Sequence, residues 1–411
     1  MSGQRAAAEP YATRFESEVT AVDGTQVWLE TTHFFAECGG QPADRGTIGD
    51  VTVEDVQLVD GEHVHQLAEE PPFRAGHRVL CSIDWSFRMY CMRAHTASHV
   101  LAGAARTLLE DVAYAGLEID EERVRLDVRT ATDVDDEGLV ELDDLVNRAI
   151  WESRPVSWDT IPLSEAKERD DVMLTDALAN EAVSKGQVRL VTIGSKNDNG
   201  QSISRTTNAW DVAACGGTHV RNTRETGPVT IFDRSTADDG VTSIEFAVGP
   251  RAIEYRAAEK DVTFTARRLL DSSVDGLSSD LEAAIDRLPE LEAENRKLQG
   301  ELVERTLLTE TPIERNGDIW IVSTVDGIEP EALGDAVRDL PADYGDVVAV
   351  VGETDYPFAV VRSRTDLDAS AVIEELVTQY GGGGGGSASF AQGGGFDVPT
   401  ETVLERLKSW P

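Results

Sequence analysis

The chain has 411 residues, and its 76 Asp and Glu against 37 Lys and Arg leave a formal net charge of −39. Hydrophobic residues still make up 40% of it, enough for the cores of two to four domains, which excludes a disordered chain. No run of about 18 apolar residues could span a bilayer, the first ten residues lack the apolar core of a signal peptide, and four cysteines are too sparse for a disulfide scaffold, which together point to a cytoplasmic protein with no membrane partner.

Residues 13–60 alternate β-rich segments such as Val27-Trp28-Leu29 and Val51-Thr52-Val53 with turns at Gly39-Gly40-Gln41-Pro42 and Asp44-Arg45-Gly46. That spacing predicts a small barrel or sandwich. A helix is predicted from about residue 86 to 109, with Met89, Met92, Thr96, His99, Val100 and Gly103 at helical intervals. Residues 110–176 hold 21 acidic against 7 basic side chains and are expected to form a solvated face, with helical pattern over 139–151. β character returns over 188–193, 227–233 and 244–248, separated by Asn- and Gly-rich loops, and residues 86–256 read as one α/β unit.

Leu281, Leu288, Asn295 and Leu302 recur every seven residues with Ala284, Leu291 and Leu298 interleaved. This short heptad pattern either folds on its own domain or pairs with a second copy, in which case Asn295 favours a two-stranded register. Beyond it, apolar runs at 320–323, 347–351 and 359–361 alternate with helical stretches, as in a compact C-terminal α/β domain.

His95-Thr96-Ala97-Ser98-His99 places two imidazoles one turn apart on a helix face. In Cys215-Gly216-Gly217-Thr218-His219 the glycines allow a turn sharp enough for a thiolate and an imidazole to converge. Chance predicts both pairs together only about 0.008 times in such a chain. Three imidazoles and one thiolate suit Zn²⁺; the bland alternative is a satisfied core histidine and an inert buried cysteine.

At these residues the chain resembles the alanyl-tRNA editing proteins, the AlaX family in its long form, related to the editing and C-terminal domains of alanyl-tRNA synthetase. The resemblance is carried by Phe35-Ala36-Glu37-Cys38-Gly39-Gly40-Gln41-Pro42-Ala43-Asp44-Arg45-Gly46, by Arg93-Ala94-His95-Thr96-Ala97-Ser98-His99-Val100-Leu101, by Cys215-Gly216-Gly217-Thr218-His219-Val220-Arg221-Asn222-Thr223, and by the glycines from Gly381 to Gly386 with Ala391-Gln392-Gly393-Gly394-Gly395. It implies an α+β fold: an N-terminal β-barrel with a glycine-rich loop (1–85), an α/β zinc-bearing editing domain (86–256), a helical connector (257–310) and a C-terminal α/β DHH-associated domain (311–411).

The implied function is an ATP-independent aminoacyl-tRNA deacylase that serves translation fidelity by removing serine or glycine from mischarged alanine tRNA, acting in trans. His95, His99, Cys215 and His219 carry over as zinc ligands. Four protein ligands close a tetrahedral site, so the ion would orient substrate or trade a ligand for water. A charging enzyme is not expected, because almost no chain precedes the barrel. The alternatives are a zinc-stabilised tRNA-binding module without catalysis and an editor of another mischarged tRNA.

Gln41 could position the attacking water or read a serine hydroxyl, Glu37 could act as a base, and Thr96 could sense side-chain size; turn hydrogen bonding and helix packing are the alternatives. Asp211 reads as an ordinary surface carboxylate or as the holder of a ligand imidazole. Cys38 stands where the family's loop more often has a small residue.

A charge of −39 opposes nucleic acid, yet residues 74–108 carry five Arg against Asp84 alone and residues 201–260 are nearly neutral. An anion could approach there, with Arg88 and Arg93 as tRNA contacts. Gly381, Gly384 and Gln392 are further candidates, against the alternative of a flexible linker. The bulk charge then suits a halophilic, salt-rich interior, where the Debye length falls to about 3 Å. A homodimer through residues 281–302 or the C-terminal domain is permitted.

Overall fold

Strands in the first 83 residues alternate buried and exposed side chains, the period-two pattern that turns one face of a sheet into a core. In the computed structural model the barrel strands are β1 (Arg14–Asp23), β2 (Gln26–Leu29), β3 (Gly46–Ile48), β4 (Val51–Val59), β5 (Glu62–Leu67) and β6 (Arg78–Ile83). They close in the order β1-β2-β5-β4-β3-β6 around Val19, Leu29, Phe34, Ile48, Val56 and Cys81. The structure describes residues 3–169, 172–173, 186–196, 202–203, 209–237 and 240–411, and the chain divides into two units, Met1–Phe264 and Thr265–Pro411.

Inside the barrel His65 is fully buried. Its Nδ1 donates to the Val27 carbonyl at 3.0 Å, and Nε2 accepts from the Thr32 hydroxyl at 2.9 Å. Burial lowers this ring's pKa to about 4, whereas the unfolded chain takes up the proton near 6.5. Between those values the unfolded state binds more protons, so the stabilisation present above pH 6.5 declines as pH falls towards 4. Urea titrations at pH 7 and pH 4.5 should show a loss of about 2.5 kcal/mol from this ring, absent in a His65→Gln chain.

Helix α1 (Trp85–Leu108) starts at Asp84, whose carboxylate accepts from the Ser86 and Phe87 amides, a side-chain cap for otherwise unpaired donors. Arg88, expected to face tRNA, is instead completely buried. Its Nε donates to Asp44 Oδ1 at 2.8 Å, and its Nη atoms donate to Asp44 Oδ2 and to the carbonyls of His33 and Pro10. The Asp44 carboxylate also accepts from the Phe35 amide at 2.6 Å. With no exposed surface, this guanidinium offers nothing to a phosphate; it ties α1 to the barrel.

The acidic stretch after α1 is only partly a solvated face. It contains β7 (Ala113–Ile119) and β8 (Val124–Arg129), in which Val124, Leu126 and Val128 are fully buried while the alternate Arg125, Asp127 and Arg129 are not. Helix α2 (Asp136–Trp151) is capped by Asp135 on the Gly138 amide. Next come β9 (Val156–Pro162), α3 (Leu163–Lys167), β10 (Gln187–Ile193) and β11 (Asp211–Ala214), then β12 (Val229–Thr236) and β13 (Val241–Val248). Two antiparallel sheets result, β12-β13-β8-β7 and β9-β10-β11. Side chains of α1 and α2 share one core with Leu126, Ile244 and Phe246. The Asn- and Gly-rich loop expected after residue 193 lies partly outside the described residues.

Helix α4 (Pro250–Leu270) begins before residue 257, and α5 (Leu277–Leu308) runs on through Pro289. Only the end of α5 is buried, at Val303 and Leu307; Leu281, Leu288, Leu291, Leu298 and Leu302 are each about half exposed. The heptad stretch therefore does not fold onto the second unit's own core. No described helix is long and apolar enough to cross a membrane.

The rest of this unit comprises β14 (Ile313–Arg315), β15 (Asp318–Thr324), α6 (Pro330–Asp339), β16 (Val347–Glu353), β17 (Pro357–Ser363), α7 (Ala369–Tyr380), β18 (Gly383–Ser387), β19 (Phe390–Gly394) and α8 (Thr400–Lys408). Its sheet has the order β14-β15-β16-β17-β19-β18, with β15 and β16 parallel. The glycine run is thus no loose linker but a paired edge strand. Packing demands glycine at 384, where a Cβ would approach the Gly393 Cα to 2.5 Å and the Ile373 side chain to 2.7 Å, whereas a Cβ at 383 or 385 would meet open space.

Candidate metal centre

The i, i+4 spacing on α1 brings the His95 and His99 rings to a centroid separation of 5.6 Å, and the turn after β11 delivers Cys215 and His219 to the same place. All four are buried, and their ligand atoms lie within 4.8 Å of one another. Cys215 Sγ is 3.2 Å from Nε2 of both His95 and His219. This group could bind a metal ion.

Each ligand is held from behind. The Nδ1 atoms of His95, His99 and His219 face Gln41 Oε1 at 3.0 Å, Asp211 Oδ2 at 2.7 Å and Thr96 Oγ1 at 3.3 Å. The Thr96 hydroxyl itself donates to the Met92 carbonyl, which leaves its oxygen to accept. Every ring therefore turns Nε2 inward, the arrangement by which outer partners fix tautomer and orientation. Arg189 donates to the Cys215 carbonyl at 2.7 Å, and the Gly217 amide donates to Sγ.

Burial alone would raise the Cys215 thiol, but the adjacent His95 and His219 imidazoles outweigh it and hold the group well below its usual value. A thiolate is the form that ligates metal. Burial lowers His219 to about 3, a neutral ring ready to coordinate. For His99 burial opposes charge, yet the hydrogen bonds and charges of Asp211 and Cys215 carry it up to about 10. By contrast, burial pushes the Cys81 and Cys91 thiols up to about 12, so they are inert packing groups. Three neutralisable imidazoles and one thiolate, all aimed at one point, fit a metal.

The glycine-rich loop explains how the barrel contributes. Gly40 has φ +80°, and a Cβ there would overlap the Leu117 carbonyl at 1.8 Å; its own carbonyl accepts from the Ile119 amide. The loop thus lies backbone to backbone on β7 and sets Gln41 behind His95. Gly217 has the same character, since a Cβ would stand 2.2 Å from the His95 ring. A Gly217→Ala chain should bind metal about 10–100-fold more weakly, as read by competition with a chromophoric chelator.

The remaining candidates divide. Gln41 is fully buried, and both ends of its amide are engaged, by His95 and by Thr218, so it orients a ligand and does not face a substrate. Thr96 is equally buried and holds His219 in place of lining a side-chain pocket. Glu37 is exposed, pairs with Gln57 and stands away from the cavity wall. Arg93 is half-buried, its Nε on the Glu225 carbonyl. Asp211 proves to be a buried holder of His99, also bound by Arg106; its position four residues before Cys215 was the available signal. Arg189 carried none.

A cavity of about 380 Å³ opens beside the quartet, walled by Cys38 and Gly39 of the barrel loop, residues 114–117 of β7, Ala102 of α1, Met173 and residues 213–217. In the second unit Gly384 and Gln392 line a separate cavity of about 570 Å³ with Gly383, Gly385 and Tyr356, while Gly381, at φ +79°, closes the end of α7.

Three family models match the chain: tRNA synthetases class II (A) over residues 5–87, the threonyl and alanyl tRNA synthetase second additional domain over 188–245, and the DHHA1 domain over 317–410. Alanine–tRNA ligase of Pyrococcus abyssi is 32% identical across 95% of this chain and 41% of its own length. That of Natronomonas pharaonis is 32% identical across 98% and 43%. The chain spans about two fifths of the length of these curated relatives. Among solved structures, the C-Ala domain of Aquifex aeolicus alanyl-tRNA synthetase matches 24% of this chain and 95% of its own, at 26% identity and a TM-score of 0.21.

Proposed function

The chain is alanyl-tRNA synthetase-related, and on that premise we propose that it is a zinc-dependent deacylase that hydrolyses mischarged alanine tRNA in trans. One observation carries this reading: a buried His₃Cys quartet opens onto a cavity sized for the aminoacyl end of a tRNA rather than for the whole molecule. Zinc is the ion of choice for a tetrahedral set of three imidazoles and a thiolate, held by His95, His99, Cys215 and His219. Bound there, it supplies Lewis acidity towards an ester carbonyl. The chain's own part is to aim the ligands through Gln41, Asp211 and Thr96, to fix the Cys215 turn through Arg189, and to shield the reacting ester behind β7 and the glycine-rich loop.

For tRNA beyond its acceptor end, the same reading uses the bare edge at Gly383 and Gly385 with Gln392, since packing does not require glycine at 383 or 385 and backbone N–H groups there can approach phosphate. The half-exposed leucines of α5 supply the seam of a homodimer. The test is release of free amino acid when the zinc-loaded protein meets seryl- and glycyl-esters of alanine tRNA at high salt, without ATP. Rapid release of serine or glycine is the expected result. Tight tRNA binding with both esters intact would instead make the chain a binding module, and equal release from seryl-esters of unrelated tRNAs would remove the alanine assignment.

A further inference from the structure

Strand β7 reads Ala113-Tyr114-Ala115-Gly116-Leu117-Glu118-Ile119. Along a regular strand successive side chains point to opposite faces, yet four consecutive residues, 114–117, line the cavity beside the metal quartet. The register on β8 explains this. Asp127 pairs with Gly116 and Val128 with Tyr114, so Ala115 is left without a partner. This is a β-bulge on an edge strand, a device that re-aims a side chain next to a site. Here the re-aimed residue is Tyr114.

Its ring packs against the core that includes Cys215. Its hydroxyl has no hydrogen-bond partner among the described residues. Other polar groups of the wall are already engaged: Ser98 donates to the His95 carbonyl at 2.8 Å, and Asp211 holds His99 and Arg106. At neutral pH a tyrosine phenol is a neutral O–H that can both donate and accept. The same cavity is lined by the apolar side chains of Ala102, Leu117, Met173 and Ala213, a surface that accepts a methyl group as readily as a hydroxymethyl. Such a wall alone separates side chains of nearly equal size poorly, whereas a pre-placed hydrogen-bonding group rejects an analogue that lacks the partner.

We propose that the Tyr114 hydroxyl reads the side-chain hydroxyl of a seryl ester, making this site selective for serine over both glycine and alanine. The inference rests on the deacylase reading, and its test keeps the two apart. Non-hydrolysable seryl-, glycyl- and alanyl-amides of 3′-amino-3′-deoxyadenosine are titrated into the zinc-loaded protein and a Tyr114→Phe variant, alongside deacylation of the matching tRNA esters, zinc content and melting temperature. The native chain should bind the seryl amide about 10–100-fold more tightly than the other two. Tyr114→Phe should erase that preference, leave glycyl and alanyl affinities within about twofold, and keep zinc and melting temperature unchanged. Binding selectivity without hydrolysis would leave this inference standing and sink the deacylase. The inference is overturned by equal affinity for the three amides, by binding of none, by a preference that survives in the variant, or by a variant that weakens all three alike.

Discussion

A Cys215→Ala chain, purified in zinc, should hold less than about a tenth of the native metal content and release amino acid from mischarged alanine tRNA at least about 1,000-fold more slowly. The thiolate is the anionic member of a quartet whose other members are neutral donors when they coordinate, and it lies 3.2 Å from two of them. Its loss removes both a ligand and the charge that offsets a dication in a buried site. A thousandfold corresponds to about 4 kcal/mol, within what a Lewis acid contributes to an acyl transfer. Metal content by atomic emission and single-turnover deacylation read the two halves separately. Full zinc occupancy in the variant would remove Cys215 from the ligand set.

The second large effect concerns the joint between barrel and helix. An Asp44→Ala chain leaves the Arg88 guanidinium buried with its carbonyl partners but without a counter-charge, a defect of about 3–5 kcal/mol. Hydrogen exchange at the Phe35 amide, which donates to Asp44, and across the barrel strands should accelerate by roughly 100- to 5,000-fold. The double variant Asp44→Ala/Arg88→Met removes both charges and should regain most of the protection across the barrel strands, but not at the Phe35 amide, which still lacks its acceptor. Protection in Asp44→Ala equal to the native level would mean that the pair adds nothing.

The convergence of His95, His99, Cys215 and His219 was legible because each half is local: a helical repeat in one motif, a glycine turn in the other. The barrel was legible from alternation and turns. Strands β7 and β8 were not, because Glu118, Asp120, Glu121, Glu122 and Asp127 dominate the composition there, although Val124, Leu126 and Val128 keep an exact period of two. With those strands went the cavity wall and Tyr114. Arg88 was misread because counting charge along the chain does not detect burial; its counter-ion is 44 positions away. The positions of Gln41 and Thr96 beside the quartet were legible, but their partners were not, since what Gln41 faces depends on Thr218, 177 positions later. Such pairings are set by docking of whole elements.

That separation also fixes an order of events during synthesis. His95 and Cys215 are 120 residues apart, and at about 5–20 residues per second a ribosome needs roughly 6–24 s to deliver the second after the first. For that interval α1 displays two imidazoles one turn apart, with Gln41 already made and both Asp211 and the thiolate still to come. A metal captured then has only half a cage, and divalent copper outcompetes zinc for bare nitrogen donors. The thiolate turn, emerging later with Asp211 four residues ahead of it, completes the group of four donors, so on the proposed reading metal selection belongs to both halves together and not to the helix that offers the first two imidazoles.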